Sequence, residues 1–187
     1  LEKSGDSHAE VIDIDADVQL FVDDCLVENM HGLRRRMHQP VKHGGNPLIV
    51  PEQPFEQRYK FHYGWTLGSV IADPVGQRYQ AYWSVAQKHL LYAESDDGLH
   101  WHKPALGRAE YAGSRANNIL IPDCHAASVN HVSGAADGYM YQMFAVKKGV
   151  GPAIFRSRDG INWEAPVRVQ TPPSGDDACL TFDPYTQ

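Results

Sequence analysis

From Trp65 onward, short apolar stretches alternate with turn residues at close intervals. Trp65–Ile71, Tyr79–Val85 and Leu90–Glu94 are apolar segments of strand length, and Ala127–Val132, Tyr139–Val146 and Ala153–Arg156 repeat the series. No stretch sustains a 3.6-residue period over three turns, so the pattern predicts strands and no long helix. Asp73-Pro74-Val75-Gly76 supplies the turn after the first segment.

One motif punctuates both series. Ser95-Asp96-Asp97-Gly98-Leu99-His100-Trp101-His102-Lys103-Pro104 returns as Ser157-Arg158-Asp159-Gly160-Ile161-Asn162-Trp163-Glu164-Ala165-Pro166, every position shifted by 62 residues. Tyr79-Gln80 and Tyr141-Gln142 obey the same shift. A fixed period with one turn per unit marks a repeat architecture. Asp-Gly makes a tight turn in which glycine takes the positive φ. The Ser and Asp side chains can bond the turn's own amides, and Trp then lies over it. A fourth strand is expected from Trp101 and again from Trp163.

Four short strands per unit fit a β-propeller blade. The expected fold is therefore all-β: a partial β-propeller of two four-stranded antiparallel blades, an N-terminal strand segment and the start of a third blade. The blade repeats span residues 59–104 and 119–166, with Ile119-Leu120-Ile121 opening the second. A third begins at 177 with Ala178-Cys179-Leu180-Thr181-Phe182, and its Asp183-Pro184 echoes Asp73-Pro74. Residues 65–104 and 127–166 should superpose, with Trp101 and Trp163 in equivalent places. Ahead of the repeat, residues 1–16 are polar and expected to be flexible. Val18–Val22 reads as a strand with Cys25-Leu26-Val27 as its partner, and Leu33–Pro40 as extended, because Pro40 disfavours helix before it. Residues 43–58 carry Gly44, Gly45, Pro47, Pro51 and Pro54, an irregular connection with Leu48-Ile49-Val50 as a short strand. A closed propeller needs at least about four blades, so the chain reads as a fragment of a ring, and the open face offers a surface for self-association.

The chain has 187 residues with 42% hydrophobic and 21% charged, ordinary globular composition. Its formal charge of −6 argues against nucleic acid or an anionic membrane as partner. No apolar run reaches transmembrane length, so no membrane insertion is expected. Cys25, Cys124 and Cys179 are scattered and signal neither a zinc site nor a disulfide framework. No metal and no cofactor are implied. No signal peptide is visible, and Leu1 is consistent with a processed or trimmed N-terminus.

Several stretches together carry a resemblance: Val18–Asp24, Arg35-Arg36-Met37-His38-Gln39-Pro40, Asn46-Pro47, Tyr92–Trp101, Asn117-Asn118-Ile119-Leu120 and Ser128-Val129. From about residue 17 to 187 the chain resembles the N-terminal part of bacterial five-bladed β-propeller proteins related to glycoside hydrolase families 32 and 43, which include invertase, levanase and arabinanase types. The turn motif also resembles the sialidase Asp-box, less the residue that usually separates Asp from Gly. The resemblance implies a sugar-binding funnel at one end of the axis, an oligo- or polysaccharide partner, and an extracellular or periplasmic location.

Glycosidic cleavage needs two carboxyl groups flanking the scissile bond. In the resembled families the first two inner strands each carry an Asp and the third supplies a Glu acid. Here Trp65-Thr66-Leu67-Gly68-Ser69-Val70 holds no carboxylate, Cys124–Val129 offers His125 or Ser128 instead, and the third unit has Asp176-Asp177. The candidate catalytic residues are Asp177 and His125. The candidate substrate-binding residues are Trp65, by stacking on a sugar ring, His62 and Asp176. Arg34, Arg35 and Arg36 are weighed as contacts for a uronate or sulfate against a solvated strand face. His100 and His102 stand two apart on one strand face, a geometry a metal can use, with no third ligand nearby in sequence. Two readings follow: a glycoside hydrolase-like propeller with altered or missing carboxylates, or a non-catalytic carbohydrate-binding or structural module. The fragment itself is expected not to hydrolyse glycosides.

Overall fold

The computed structural model describes residues 22–57, 65–73, 77–85, 88–132 and 134–170. The chain divides into two units, Leu1–His43 and Gly44–Gln187. In the first, the described residues 22–43 form no strand. Asp23 caps a turn by accepting the Cys25 amide through Oδ1 at 2.9 Å. Arg35 donates to the Asp23 carbonyl at 2.8 Å and pairs with the Asp24 carboxylate. The strand expected over Cys25–Val27 is absent: Cys25 is exposed and Leu26 and Val27 are only half-buried, while Leu33–Pro40, expected to be extended, is exposed throughout and joins no ladder. Residues 1–16, expected to be flexible, most of the strand expected over Val18–Val22 and the third repeat expected from 177 lie outside the described residues.

The second unit is all-β, with two four-stranded antiparallel sheets, each in chain order. The first holds β1 (Trp65–Asp73), β2 (Arg78–Val85), β3 (His89–Ser95) and β4 (Ile119–Pro122). The second holds β5 (Cys124–His131), β6 (Tyr141–Lys147), β7 (Gly151–Ser157) and β8 (Val167–Arg168). A single helical turn, α1 (Pro54–Gln57), lies in the connection where Leu48–Val50 was expected to be a strand. The fourth strands also differ from expectation. Trp101 opens no ladder: the chain makes one bridge, Glu94 to His102, and Ile119–Pro122 closes the first sheet instead of opening the second. After Trp163 a bridge to Ser157 precedes β8 beyond Pro166. Proline lacks an amide donor, so each turn strand fails at Pro104 or Pro166 and pairing resumes further on.

The apolar run in β2 is continuous because both its faces are covered. Gln80, Tyr82 and Ser84 are buried, as are Ala81, Trp83 and Val85 between them. Tyr82 joins Leu90, Tyr92, Val129, Tyr141, Met143 and Phe155 in the core between the sheets. Ala81, Trp83 and Val85 pack with Leu91, Ala93, Ile119 and Phe55 of α1. That second face is fastened by charge. Lys103 Nζ contacts both Glu56 oxygens at 2.9 and 3.0 Å, donates to the Val50 carbonyl at 2.6 Å, and lies 5.6 Å from the Trp83 ring centroid. Glu56 also accepts the amides of Glu52 and Gln53. Its side chain is fully buried.

The two turns are built alike. Ser95 Oγ accepts the amides of Asp97 and Gly98, Asp97 Oδ1 accepts those of Leu99 and His100, and Trp101 donates its indole N–H to the Gly98 carbonyl at 3.1 Å. Ser157, Asp159 and Trp163 make the same bonds around Gly160. The His100 amide, the His100 ring and the Leu99 amide hold the Asp97 carboxyl far below the usual carboxylate range. Burial pushes Asp159 up, yet the Asn162 amide, its side chain and the Ile161 amide outweigh it. Tyr79 lies 3.6 Å from the Cβ position of Gly98, and Tyr141 lies 3.2 Å from that of Gly160, which explains why tyrosine shares the 62-residue shift (Tyr79 to Tyr141).

The turns differ in what lies beyond them. Gln80 Nε2 donates to the Asp159 carbonyl at 3.1 Å, and Tyr82 donates its hydroxyl to the Gly160 carbonyl at 3.0 Å. The second turn is therefore docked on β2 of the preceding sheet, while Tyr79 and Leu99 at the first remain 37% and 41% exposed. Both glycines sit at positive φ, 74° and 76°, so alanine costs about 1 kcal/mol of backbone strain at either. At Gly160 the added methyl also collides with the Tyr82 hydroxyl and Gln80 Oε1, an overpacking cost of roughly 1–3 kcal/mol more. Urea unfolding of Gly98→Ala and Gly160→Ala is expected to show the second markedly less stable. Equal losses would mean that the docked turn adds nothing to stability.

Candidate functional site

The first strands of the two sheets, β1 and β5, lie against each other. Gly68 sits at a bulge where β1 shifts register between Leu67 and Ser69, and any Cβ there would collide with the Ala127 carbonyl of β5. One residue on, Ser69 Oγ accepts the Val129 amide at 2.8 Å. The contacts advance together along both strands, so β1 and β5 run the same way and begin at the same end. Trp65 pairs with Val85, and Cys124 with Lys147, the residue one repeat later. Trp65 and Cys124 thus hold equivalent places, with His125 one step further in.

Other strand ends gather there. β3 starts at His89, paired with Pro122 at the end of β4. Asp123 joins β4 to β5 with φ at 49°, a left-handed conformation that aspartate tolerates better than most residues. The Cys124 amide donates to the Lys88 carbonyl at 3.1 Å, and the Lys148 amide to the Asp123 carbonyl at 2.9 Å. Lys147 Nζ donates to the Pro122 carbonyl at 2.9 Å.

Burial sets the proton chemistry of this end. His125 is half-buried, and desolvation lowers its imidazole pKa below the ordinary value. His89 is lowered too, by burial above all, with Asp123 opposing and Lys88 adding. Both rings are neutral at pH 7 and able to donate and accept a hydrogen bond. Burial pushes the Cys124 thiol up to about 12 despite Lys147, so it is no nucleophile at neutral pH. Among the described residues, the carboxylate nearest in sequence to these groups is Asp123, whereas two-carboxylate hydrolysis needs a pair across the bond.

The structure thus places His125 and the backbone of Trp65 at one end; the Trp65 side chain lies outside the described part. His62, Asp176 and Asp177 lie outside the described residues. His89 and Asp123 escaped the sequence reading, because neither belongs to the repeat motif and only strand pairing puts them at this end. A positive φ at a non-glycine cannot be read from residue type. His100 and His102 do not act together: His100 Nδ1 meets Asp97 Oδ2 at 2.7 Å, and His102 exchanges backbone bonds with Glu94.

The two lowered imidazoles fix a sign for pH dependence. Their unfolded-state pKa, about 6.5, lies above the folded one, so the unfolded chain takes up protons first on acidification. Their contribution is complete above about pH 6.5 and is lost as the pH falls toward the folded values. The urea midpoint is expected to drop on acidification through that window, ahead of the carboxylates. It should drop less in a His89→Asn/His125→Asn double variant. A wild-type midpoint that holds constant across the window would contradict the assignment.

Comparison of the chain with protein-family models, with curated proteins and with solved structures gave no match.

Proposed function

We propose that the two sheets are neighbouring blades of a five-bladed propeller that binds a carbohydrate, outside the cytoplasm, at the end where β1 and β5 begin. The observation that supports this most is the parallel contact of the two inner strands through Gly68 with Ala127 and Ser69 with Val129. Successive sheets related in that way bring their inner strand starts around a common axis. The residue-level resemblance to the family 32 and 43 propellers supports the ligand class. Trp65 opens β1 at this end, and a tryptophan face stacks on a sugar ring. A neutral His125 supplies a donor and an acceptor to sugar hydroxyls.

Binding without cleavage is the reading we favour over hydrolysis. Inner strand β1 carries no acid along its first six residues, and β5 offers His125 in the corresponding region. An imidazole can shuttle a proton but leaves the second carboxyl role unfilled. Asp177 and Asp176 remain the acids that a hydrolytic reading would have to use.

Isothermal titration against fructans and arabinans is expected to show saturable binding. His125→Ala should weaken it about fivefold, the worth of one hydrogen bond. The same mixtures are expected to release no reducing sugar. Failure of every glycan to bind would overturn the carbohydrate reading, and sugar release abolished by Asp177→Asn would replace binding with hydrolysis.

A further inference from the structure

A cavity of about 270 Å³ lies between the edge of the first sheet and the second. Leu120 and Ile121 of β4, Phe155 of β7 and Trp163 line its apolar part, and Arg108 and Lys147 contribute the cations. The size is just below the usual range for drug-sized ligands, about 300–1,000 Å³, and suits a single ring.

The charges are arranged unusually for a surface cleft. Arg108 comes from the loop before β4 and donates to Asn162 Oδ1 of the second turn. Lys147 comes from the end of β6 and donates to the Pro122 carbonyl of the first sheet. Each cation crosses from one sheet to the other and rests on a neutral acceptor. Among the described residues, the ion pairs include neither of them. One acid, Glu164, also borders the cavity; it accepts the Tyr139 hydroxyl on Oε1 at 3.2 Å and keeps its charge, so the lining carries two cations against one carboxylate. Among the described residues, Arg108 and Lys147 each make one side-chain hydrogen bond, so both keep further N–H donors. The Trp163 indole N–H is already bonded to Gly160, so what the ring offers the cavity is apolar surface.

We infer that this cavity binds a hexuronate, its carboxylate held by Arg108 and Lys147 and its ring against Trp163. An apolar wall alone would accept any small ring, and two cations alone any anion. Their combination selects a ring that bears a carboxylate. The sugar identity rests on the carbohydrate reading above; the charge and shape of the cavity do not. The lining includes neither Trp65 nor His125, although Lys147 reaches it from the strand end that pairs with Cys124.

The test is titration of the whole chain with glucuronate, galacturonate, glucose and acetate. At least one hexuronate is expected to bind saturably, more weakly as salt is raised, with glucose and acetate at least about tenfold weaker. Arg108→Gln should weaken hexuronate binding about tenfold, the loss of one charge-assisted hydrogen bond, and Arg108→Lys should retain part of it. The wild-type comparison of hexuronate with glucose decides the matter even if a variant fails to fold. Equal binding of glucose, no binding of either hexuronate, or an unchanged affinity in folded Arg108→Gln would overturn the inference. Hexuronate binding lost in His125→Ala but kept in Arg108→Gln would overturn it while leaving the carbohydrate reading intact.

Discussion

The arrangement of the second unit depends on a buried turn with no room for a side chain. Tyr82 is fully buried on the face of β2 that meets the second sheet, and its hydroxyl must find a partner there or destabilise the fold. It finds the Gly160 carbonyl, which is accessible because residue 160 has no Cβ. Burial raises the tyrosine pKa well above its ordinary value, so the hydroxyl stays a donor at any pH the fold survives. With Gln80 holding the Asp159 carbonyl beside it, the second sheet is fixed on the first in position and angle. The contact of β1 with β5, their common starting end and the cavity between β4 and β7 belong to the same junction of the two sheets.

Much of this was legible in the sequence because the information was local and repeated. The six segments of the two series became strands, and both Asp-Gly turns formed with the expected hydroxyl, carboxylate and indole bonds. The first turn proves the point, since it makes the whole set of bonds although Leu99 and Tyr79 stay partly open to solvent. What failed was the partner of each strand's last residues. Ile119-Leu120-Ile121 is as apolar as an inner strand, and pattern alone cannot say which neighbour it joins. Pro104 ends pairing after a single bridge, so another segment must complete the sheet, and residue type does not say which.

The site was legible to a smaller degree. Strand starts can be guessed from where apolar runs begin, and that placed Trp65 and His125 at one end. His89, Asp123, Arg108 and the Glu56–Lys103 pair could not be found in that way, because each acquires its role from a residue distant in the chain. Lys103 reads as one more charge in a solvated turn. In the structure it is nearly buried, held by an acid 47 residues earlier. Removing one member of such a pair strands the other and costs about 3–5 kcal/mol, a dependence that residue spacing does not reveal.

The meeting of β1 and β5 also bears on how the protein avoids misassembly. β5 is the edge strand of its sheet, and the Val129 amide on that edge is the kind of group that recruits a foreign strand. Here it is taken by a serine hydroxyl, which can accept the bond but cannot continue a ladder. The bulges in both strands put the neighbouring amides out of step for any regular pairing. The two sheets thereby pack through a shared core without fusing into one ladder, and the stretch from Ala127 to Val132 is denied the flat, unpaired margin from which cross-β stacking grows.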